Sequence, residues 1–373
     1  MAERYHDGAA GGAAAHGLQY PGAVVSNAEL AEALFQLAES HPAGERRLAF
    51  LRAAYAVFDH PRELAPARRW PEAVPLELLP TLAMLRACRT RDALAAATER
   101  FAGPRRHGAA AREGFLSAAE VARVIASPAA PSPARLRGAV HWHTRASDGA
   151  ATLEAMARAC QRRGASWAVV ADHTRGLECV NGLDGEGIEL QRLAVAAWNR
   201  RRGEELWLVQ GLEAEILDDG RLDLPRAARE GVLVLAAVHT GLRDRRDQTA
   251  RLVRAVEEPG VWALAHPQGR LFERRPGIRA NWEVVFAAAA AAGVLLEING
   301  FPRRQDLDPT LAGLAAAAGA RFVLASDAHH PHHLAFDATA AALAARAGVG
   351  EGAIVNFETL DHLAAGRPDH ALP

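Results

Sequence analysis

The 373-residue chain contains no lysine; all 43 of its Lys+Arg positions are arginine. That excludes Schiff-base chemistry on a lysine and phosphate binding by a P-loop lysine. Arginine is left for phosphate, and its planar fork suits the task. The three cysteines, Cys88, Cys160 and Cys179, stand far apart and form no Cys-x-x-Cys pair. Neither a disulfide framework nor a structural zinc ribbon is expected. Aromatic residues are only 6% of the chain, few for stacking the bases of a single strand. The formal net charge is −1, so no global field draws the protein to nucleic acid or to an anionic membrane. The first residues, "MAERYHDGAAGGAAAHG", lack an apolar signal core. The longest apolar run, "VVFAAAAAAGVLLEI", is short and ends in an acid, so it is not a membrane span. A cytoplasmic protein with no membrane contact is expected.

What remains is ample. Half the residues are hydrophobic, enough for a substantial core, and the length suits one large domain with a smaller one. Residues 1–22 are rich in Gly and Ala and read as a flexible N-terminus. Residues 23–128 read as a helical domain. Within it "SNAELAEALFQLAES" opens on a Ser/Asn cap and spaces its Leu and Phe residues helically, "GERRLAFLRAAYAVFDH" does the same after Gly44, and "LSAAEVARVIA" is a further patch. A Pro-rich linker follows at 129–137.

From Gly138 onward the pattern changes. Seven short β-rich runs alternate with Ala/Leu/Arg helical stretches: "GAVHWH", "SWAVVADH", "ELWLVQGLE", "VLVLAAVH", "VWALAH", "VLLEIN" and "RFVLASDAH". This is βαβ logic, which predicts a parallel sheet, and seven units fit a distorted α/β barrel over 138–373 better than an open sheet. No Gly-x-Gly-x-x-Gly follows the first strand, which weighs against a dinucleotide fold.

Each run ends on a polar residue of a type that can bind a metal. The first ends at His141 and His143, with Asp148 in the next loop. The second ends at Asp172 and His173, the third at Glu213, the fourth at His239 and the fifth at His266. The sixth ends at Glu297 and Asn299, and the seventh at Asp327 and His329. In a β/α barrel these strand ends share one face. The His-x-His and Asp-x-His pairs put both side chains on one side of a strand. In "HHPHH" (329–333) only His329 is taken as a ligand; the other three belong to a loop. The donor set is nitrogen and oxygen without thiolate, which suits Zn, Mn or Fe(II). It exceeds the shell of one ion, so two or three divalent ions are expected. Such ions activate water and stabilise attacking and leaving oxygens, the chemistry of phosphoester or amide hydrolysis. Arg270 and Arg304 follow strand ends and suit a phosphate-binding rim.

At these residues the chain resembles the PHP (polymerase and histidinol phosphatase) family, and more closely the PHP domain of bacterial family X DNA polymerases. The motifs are "HWHTRASDG", "VVADHT", "GLEAEILDDGRLDLP", "AAVHT", "AHPQGRL", "LEINGFPRRQDL" and "ASDAH". The resemblance implies a seven-stranded PHP-type barrel with a trinuclear manganese or zinc site. Its ligands would be His141, His143, Asp148, His173, Glu213, His239, His266, Asp327 and His329, with Glu213 bridging. Catalysis would rest on Glu213, His143, Asp327 and Arg270, phosphate contact on Arg270 and Arg304. Asp172, Glu297 and Asn299 would stand behind the ligands. The implied activity is phosphoester hydrolysis, as a 3′–5′ exonuclease or 3′-phosphatase in DNA repair. Residues 26–58 resemble the helical N-terminal domain of the same polymerases. Two departures stand out. Ala139 replaces an acidic residue usual before the first His and expected behind the ligands. The interval 59–137 is too short for a palm and fingers and lacks their Gly-Ser-x-Arg and Asp-x-Asp motifs, so no DNA polymerase activity is expected. The competing readings are a small-molecule phosphomonoesterase of the histidinol phosphatase type and a non-catalytic protein that binds DNA ends or a partner.

Overall fold

The computed structural model describes residues 25–64, 70–102, 109–176, 180–201 and 205–361. The N-terminal stretch read as flexible, 1–22, and Cys179 lie outside them.

The sheet is parallel throughout its named strands. These are β1 (Gly138–Trp142), β2 (Trp167–Val170), β3 (Asp172–His173), β4 (Trp207–Val209), β5 (Gly211–Glu215), β6 (Leu233–Ala237), β7 (Val261–Leu264), β8 (Leu295–Asn299) and β9 (Phe322–Ala328). Their order is β3-β5-β6-β7-β8-β9-β1-β2-β4. Two sequence runs account for the nine segments where seven were expected. The run 167–173 is interrupted at Ala171, and the run 207–215 at Gln210. These broken runs pair twice, β2 with β4 and β3 with β5, so the two ends of the order are joined through the chain and the sheet curls closed.

Strand alternation divides the two faces. On β5, Leu212 and Ala214 point out into the core shared with the surrounding helices, which leaves Glu213 and Glu215 on the inner side. On β6, Val234 and Ala236 point out, while Leu233, Leu235 and Ala237 join Trp167, Trp262 and Val323 inside the barrel. On β8, Leu296 and Ile298 point out, and Glu297 and Asn299 point in. The barrel interior is thus apolar at one end and polar at the C-terminal strand ends.

Helices α6 (Leu153–Arg162), α7 (Gly185–Asn199), α8 (Thr249–Glu257), α9 (Trp282–Ala292), α10 (Pro309–Ala317) and α11 (Asp337–Arg346) surround the sheet. The apolar run near 290 is no single helix. Gly293, at φ 66°, ends α9 in a left-handed cap, and β8 follows. Among the described residues no helix is long and apolar enough to cross a membrane.

Before the barrel come α1 (Asn27–Ser40), α2 (Glu45–Phe58), α3 (Leu79–Ala87), α4 (Arg91–Ala102) and α5 (Ala118–Ile125). Ser26 caps α1 through a capping box with Glu29, as the sequence suggests. α1 to α4 bury their own core of Leu30, Leu34, Phe50 and Val57, completed by Phe115 and by Phe272 from the β7–α9 loop. α5 sides with the barrel, where Leu116 and Val121 enter the outer core against α11.

Candidate metal centre

The convergence at the strand ends begins with backbone geometry. His141 sits at a register shift in β1 with φ 59°, Asp327 in β9 has φ 49°, and His266 beyond β7 has φ 29°. Left-handed backbone at a residue with a β-carbon is uncommon and costly. His141 therefore reaches the same centre as His143 through a bulge, not through plain alternation. Three of the expected ligands sit on such bends, which re-aim the side chains inward.

Glu213 occupies the middle of the cluster. Its Oε1 lies 2.8 Å from His266 Nε2 and 3.2 Å from His239 Nε2. Its Oε2 lies 3.1 Å from His173 Nδ1, 3.2 Å from His141 Nε2 and 3.5 Å from His143 Nε2. One buried carboxylate thus faces five imidazoles. Asp327 Oδ1 adds a second oxygen 3.2 Å from His143 Nε2 and 3.8 Å from His141 Nε2. Asp148, half-exposed at the mouth, stands 3.1 Å from His329 Nε2 and 3.6 Å from His173 Nε2. The nine expected ligands are therefore brought together. Three overlapping groups among them place their donor atoms within 4.8 Å of one another: His143/Asp148/His173/His329, His141/His143/Glu213 and His173/Glu213/His239.

The donors also fit metal ions by what they lack. Among the described residues, His141 Nε2, both ring nitrogens of His143, His239 Nε2 and His266 Nδ1 are buried without a hydrogen-bond partner. Buried polar atoms are rarely left this way, because each forfeits its hydration without return. All five come from four rings that turn a nitrogen toward Glu213, and a hard or borderline cation is the natural partner for that set.

Charge on these rings is decided by burial against carboxylates. Burial opposes the charge on His239, but Glu213 and Glu215 outweigh it and lift its pKa to about 9. Burial also opposes charge on His329, yet Asp148 and Asp327 raise it to about 9. His143 has less compensation, and burial lowers it to about 4. Glu213 is held well below the usual carboxylate range, since His173, His141 and His239 overcome the burial that would raise it.

A further layer fixes the rings. Glu297 accepts from His141 Nδ1 at 2.6 Å and from the His266 backbone N–H at 3.2 Å, and Asn299 donates to it at 2.7 Å. Asp172 acts one step further out. It accepts from Thr144 N, Thr144 Oγ1, Ser147 Oγ and Gln191 Nε2, and so holds the loop that carries Asp148. Sequence reasoning missed Glu215. It accepts from His239 Nδ1 at 2.8 Å and from the Thr240 hydroxyl at 2.7 Å, which leaves His239 Nε2 free for the centre. The signal was the Glu-x-Glu spacing in "GLEAE", which puts both acids on one face of a strand.

Two expectations are corrected. Arg270 does not reach the cluster: its guanidinium lies 3.8 Å from the Phe115 ring centroid, donates to the Glu113 carbonyl at 3.0 Å and pairs with Asp308 at 3.5 Å. It fastens the β7–α9 loop to the preceding chain and is not placed to meet a phosphate. Ala139 does not stand behind the ligands either. It lies with Met156, Ala157 and Ala168 in the apolar layer beneath the helices. Arg304 does reach the centre. Its Nε pairs with Asp327 Oδ2 at 2.8 Å, and among the described residues its two Nη groups make no hydrogen bond. Burial would lower its pKa, but Asp327 and Glu213 raise it, so the charge is secure.

No family model matches the chain. It is 32% identical over 175 residues to the DNA polymerase/3'-5' exonuclease PolX of Bacillus subtilis, which covers 46% of this chain and 30% of that protein. This chain therefore spans less than a third of its relative's length. Among solved structures, the histidinol phosphate phosphatase of Lactococcus lactis aligns with a TM-score of 0.38 at 12% identity, over 54% of this chain and 90% of that one. A putative histidinol phosphatase from Listeria monocytogenes aligns with a TM-score of 0.41 at 13% identity, over 52% and 96%. The chain is thus homologous to PolX, and the resemblance to the PHP family that its motifs carry is borne out.

Proposed function

We propose that this protein is a metal-dependent phosphoesterase of the PHP type, acting at the 3′ ends of nucleic acid strands. The observation that carries the activity is Glu213, a buried carboxylate facing five imidazoles, several of whose nitrogens have no other partner. The preference for nucleic acid ends rests on the relative, whose name pairs polymerase with 3'-5' exonuclease.

His141, His143, Asp148, His173, Glu213, His239, His266, Asp327 and His329 would hold two or three divalent ions, manganese or zinc. Such ions supply Lewis acidity and offset charge that builds on phosphoryl oxygens. The residues of the chain do the rest by position. Glu297 and Glu215 accept hydrogen bonds from Nδ1 of His141 and His239 and leave their Nε2 atoms facing inward. Arg304, fixed by Asp327, presents its two free Nη groups to a phosphate oxygen beside the cluster. Arg270 has no part in this reading. Asp148 and His329 mark the mouth, the least buried part of the ligand set, where the ester would enter.

The test uses metal-free protein reconstituted with manganese and offered a 3′-labelled single-stranded oligonucleotide beside a small phosphomonoester. Shortening of the oligonucleotide, abolished in His143→Ala, is the expected result. Phosphate release from the small ester alone would replace the nucleic acid reading. No turnover of either with any divalent metal would refute the activity.

A further inference from the structure

Two neighbouring loops rise from the cluster on the side of β6 and β7. One runs from His239 to Gln248, the other from His266 to Ala280, and the strands that feed them are paired. The loops are held together. Gln248 N donates to the Arg279 carbonyl at 2.7 Å, and Arg279 Nη1 reaches the Arg245 carbonyl at 3.5 Å. Gly269, at φ 58°, lets the second loop pass so close to Leu242 that a β-carbon there would collide with it.

This paired surface carries Arg243, Arg245, Arg246, Arg274, Arg275 and Arg279. The acids of the same loops are largely spent. Asp244 pairs with Arg246 at 2.5 Å, and Asp247 accepts from Thr249 N at 2.8 Å and faces Arg279. Glu273 turns to the opposite flank, where it accepts from Tyr55 and lies 3.6 Å from Arg112. Among the described residues, Arg243, Arg245 and Arg274 are exposed with no acidic partner, and Arg275 spends its Nε on the Gly269 carbonyl at 2.6 Å. Arg275 also feels Arg304 and Arg243: after burial, these two positive charges are what lower its pKa. The surface therefore runs on to Arg304, the guanidinium paired with Asp327 at the ligand cluster.

We infer that the 239–248 and 266–280 loops form a basic shelf that binds the sugar-phosphate backbone of a single nucleic acid strand and leads its end to the cluster. A small ester would need Arg304 alone; four further guanidiniums on one side suit a ligand with several phosphates in a row. Phosphate contacts of this kind position a strand without reading its sequence, and the shortage of exposed aromatics agrees with a shelf that grips backbone more than bases. The inference rests on the phosphoesterase reading only for the direction in which the strand runs. Strand binding itself is separate.

The test is fluorescence anisotropy of the full chain with a short labelled oligo-dT strand, in chelator, at several salt concentrations. A triple variant Arg243→Ala/Arg245→Ala/Arg274→Ala is compared with Arg46→Ala/Arg47→Ala/Arg52→Ala, which removes the same charge from α2. Each lost phosphate contact lowers the slope of log K against log salt by about 0.7 for a single strand, so the shelf variant should lose about 2 and bind about tenfold more weakly or worse at low salt. The α2 variant should keep the native slope. An unchanged slope in the shelf variant, or an equal loss in both variants, would overturn the inference. If the native protein binds the strand and the shelf variant does not, yet no phosphoester is hydrolysed with any metal, the shelf stands and the activity reading falls.

Discussion

Removing the Phe272 side chain should detach the helical layer from the barrel. Phe272 lies in the loop that follows the ligand His266, yet its ring is buried among α1, α2 and the segment before α5, with 4% exposure. Its centroid is 4.8 Å from Phe58, 4.9 Å from Phe115, 5.5 Å from Phe35 and 6.3 Å from Tyr55. Truncating a buried Phe to Ala costs about 3–5 kcal/mol. The edge-to-face pairs with Phe35 and Phe115 place this site toward the upper end, since each such pair adds about 0.5–1.5 kcal/mol beyond burial. Polar ties across the same seam survive the change: Arg303 to Asp59 at 2.6 Å and Glu273 to Tyr55. The loss should therefore appear as local opening of α1 to α4, not as collapse of the barrel. Amide hydrogen exchange reads it directly. At about 1.4 kcal/mol per decade, exchange in α1 and α2 of Phe272→Ala should speed up by about two to three and a half decades, with β5 to β9 near their native rates. Less than about tenfold acceleration in α1 and α2 would refute the reasoning, because a ring this buried cannot be lost so cheaply.

Other outcomes follow from the same contacts. Glu215→Ala and Glu297→Ala should each weaken zinc binding by about 10- to 100-fold in a chelator-competition assay, with far-UV circular dichroism unchanged; native affinity would show that these acids do not orient His239 and His141. Burial raises the Asp337 carboxyl to about 7, only partly offset by Arg163. A carboxyl raised in the folded state binds its proton more tightly than the unfolded chain does. Its favourable contribution is complete below about pH 4 and is lost as pH rises through about 7. The stability of Asp337→Asn relative to the native chain should therefore grow from pH 4 to pH 8, by at most about 4 kcal/mol, and a constant difference in denaturant titrations would contradict this. Gly138→Ala should cost about 1–3 kcal/mol in the same titrations, because a β-carbon there overlaps the Trp167 ring, which is fully buried and bonded to the Glu358 carbonyl; a neutral effect would mean the ring yields freely.

Much of the barrel was legible because parallel strands buried on both faces read as short apolar runs, and each such run here stops at a polar residue. The runs ending at Glu213, His239 and His266 mark both the sheet and the centre. The breaks at Ala171 and Gln210 were not legible, since one interrupted pairing leaves no trace in composition. Nor was the bulge at His141: the His-x-His spacing suggests plain alternation, and only a left-handed φ tells otherwise. Arg270 was misread for a different reason. Its place two residues before Phe272 ties it to the helical layer, a tertiary relation that strand-end logic does not see. Glu215 is marked in the sequence only by the Glu-x-Glu spacing, which puts it on the same strand face as Glu213 but does not tell which ring it holds.

The central claim is that the strand ends form a metal centre with Glu213 at its middle. The most direct measurement is the metal content of the native chain and of Glu213→Gln, each reconstituted with excess manganese or zinc, desalted and read by elemental mass spectrometry. The amide keeps the shape of the side chain and removes the charge that five imidazoles face. The account predicts two or three ions per native chain and a loss of at least one in the variant. A native chain that retains none, or a variant that retains the full native complement, would contradict it.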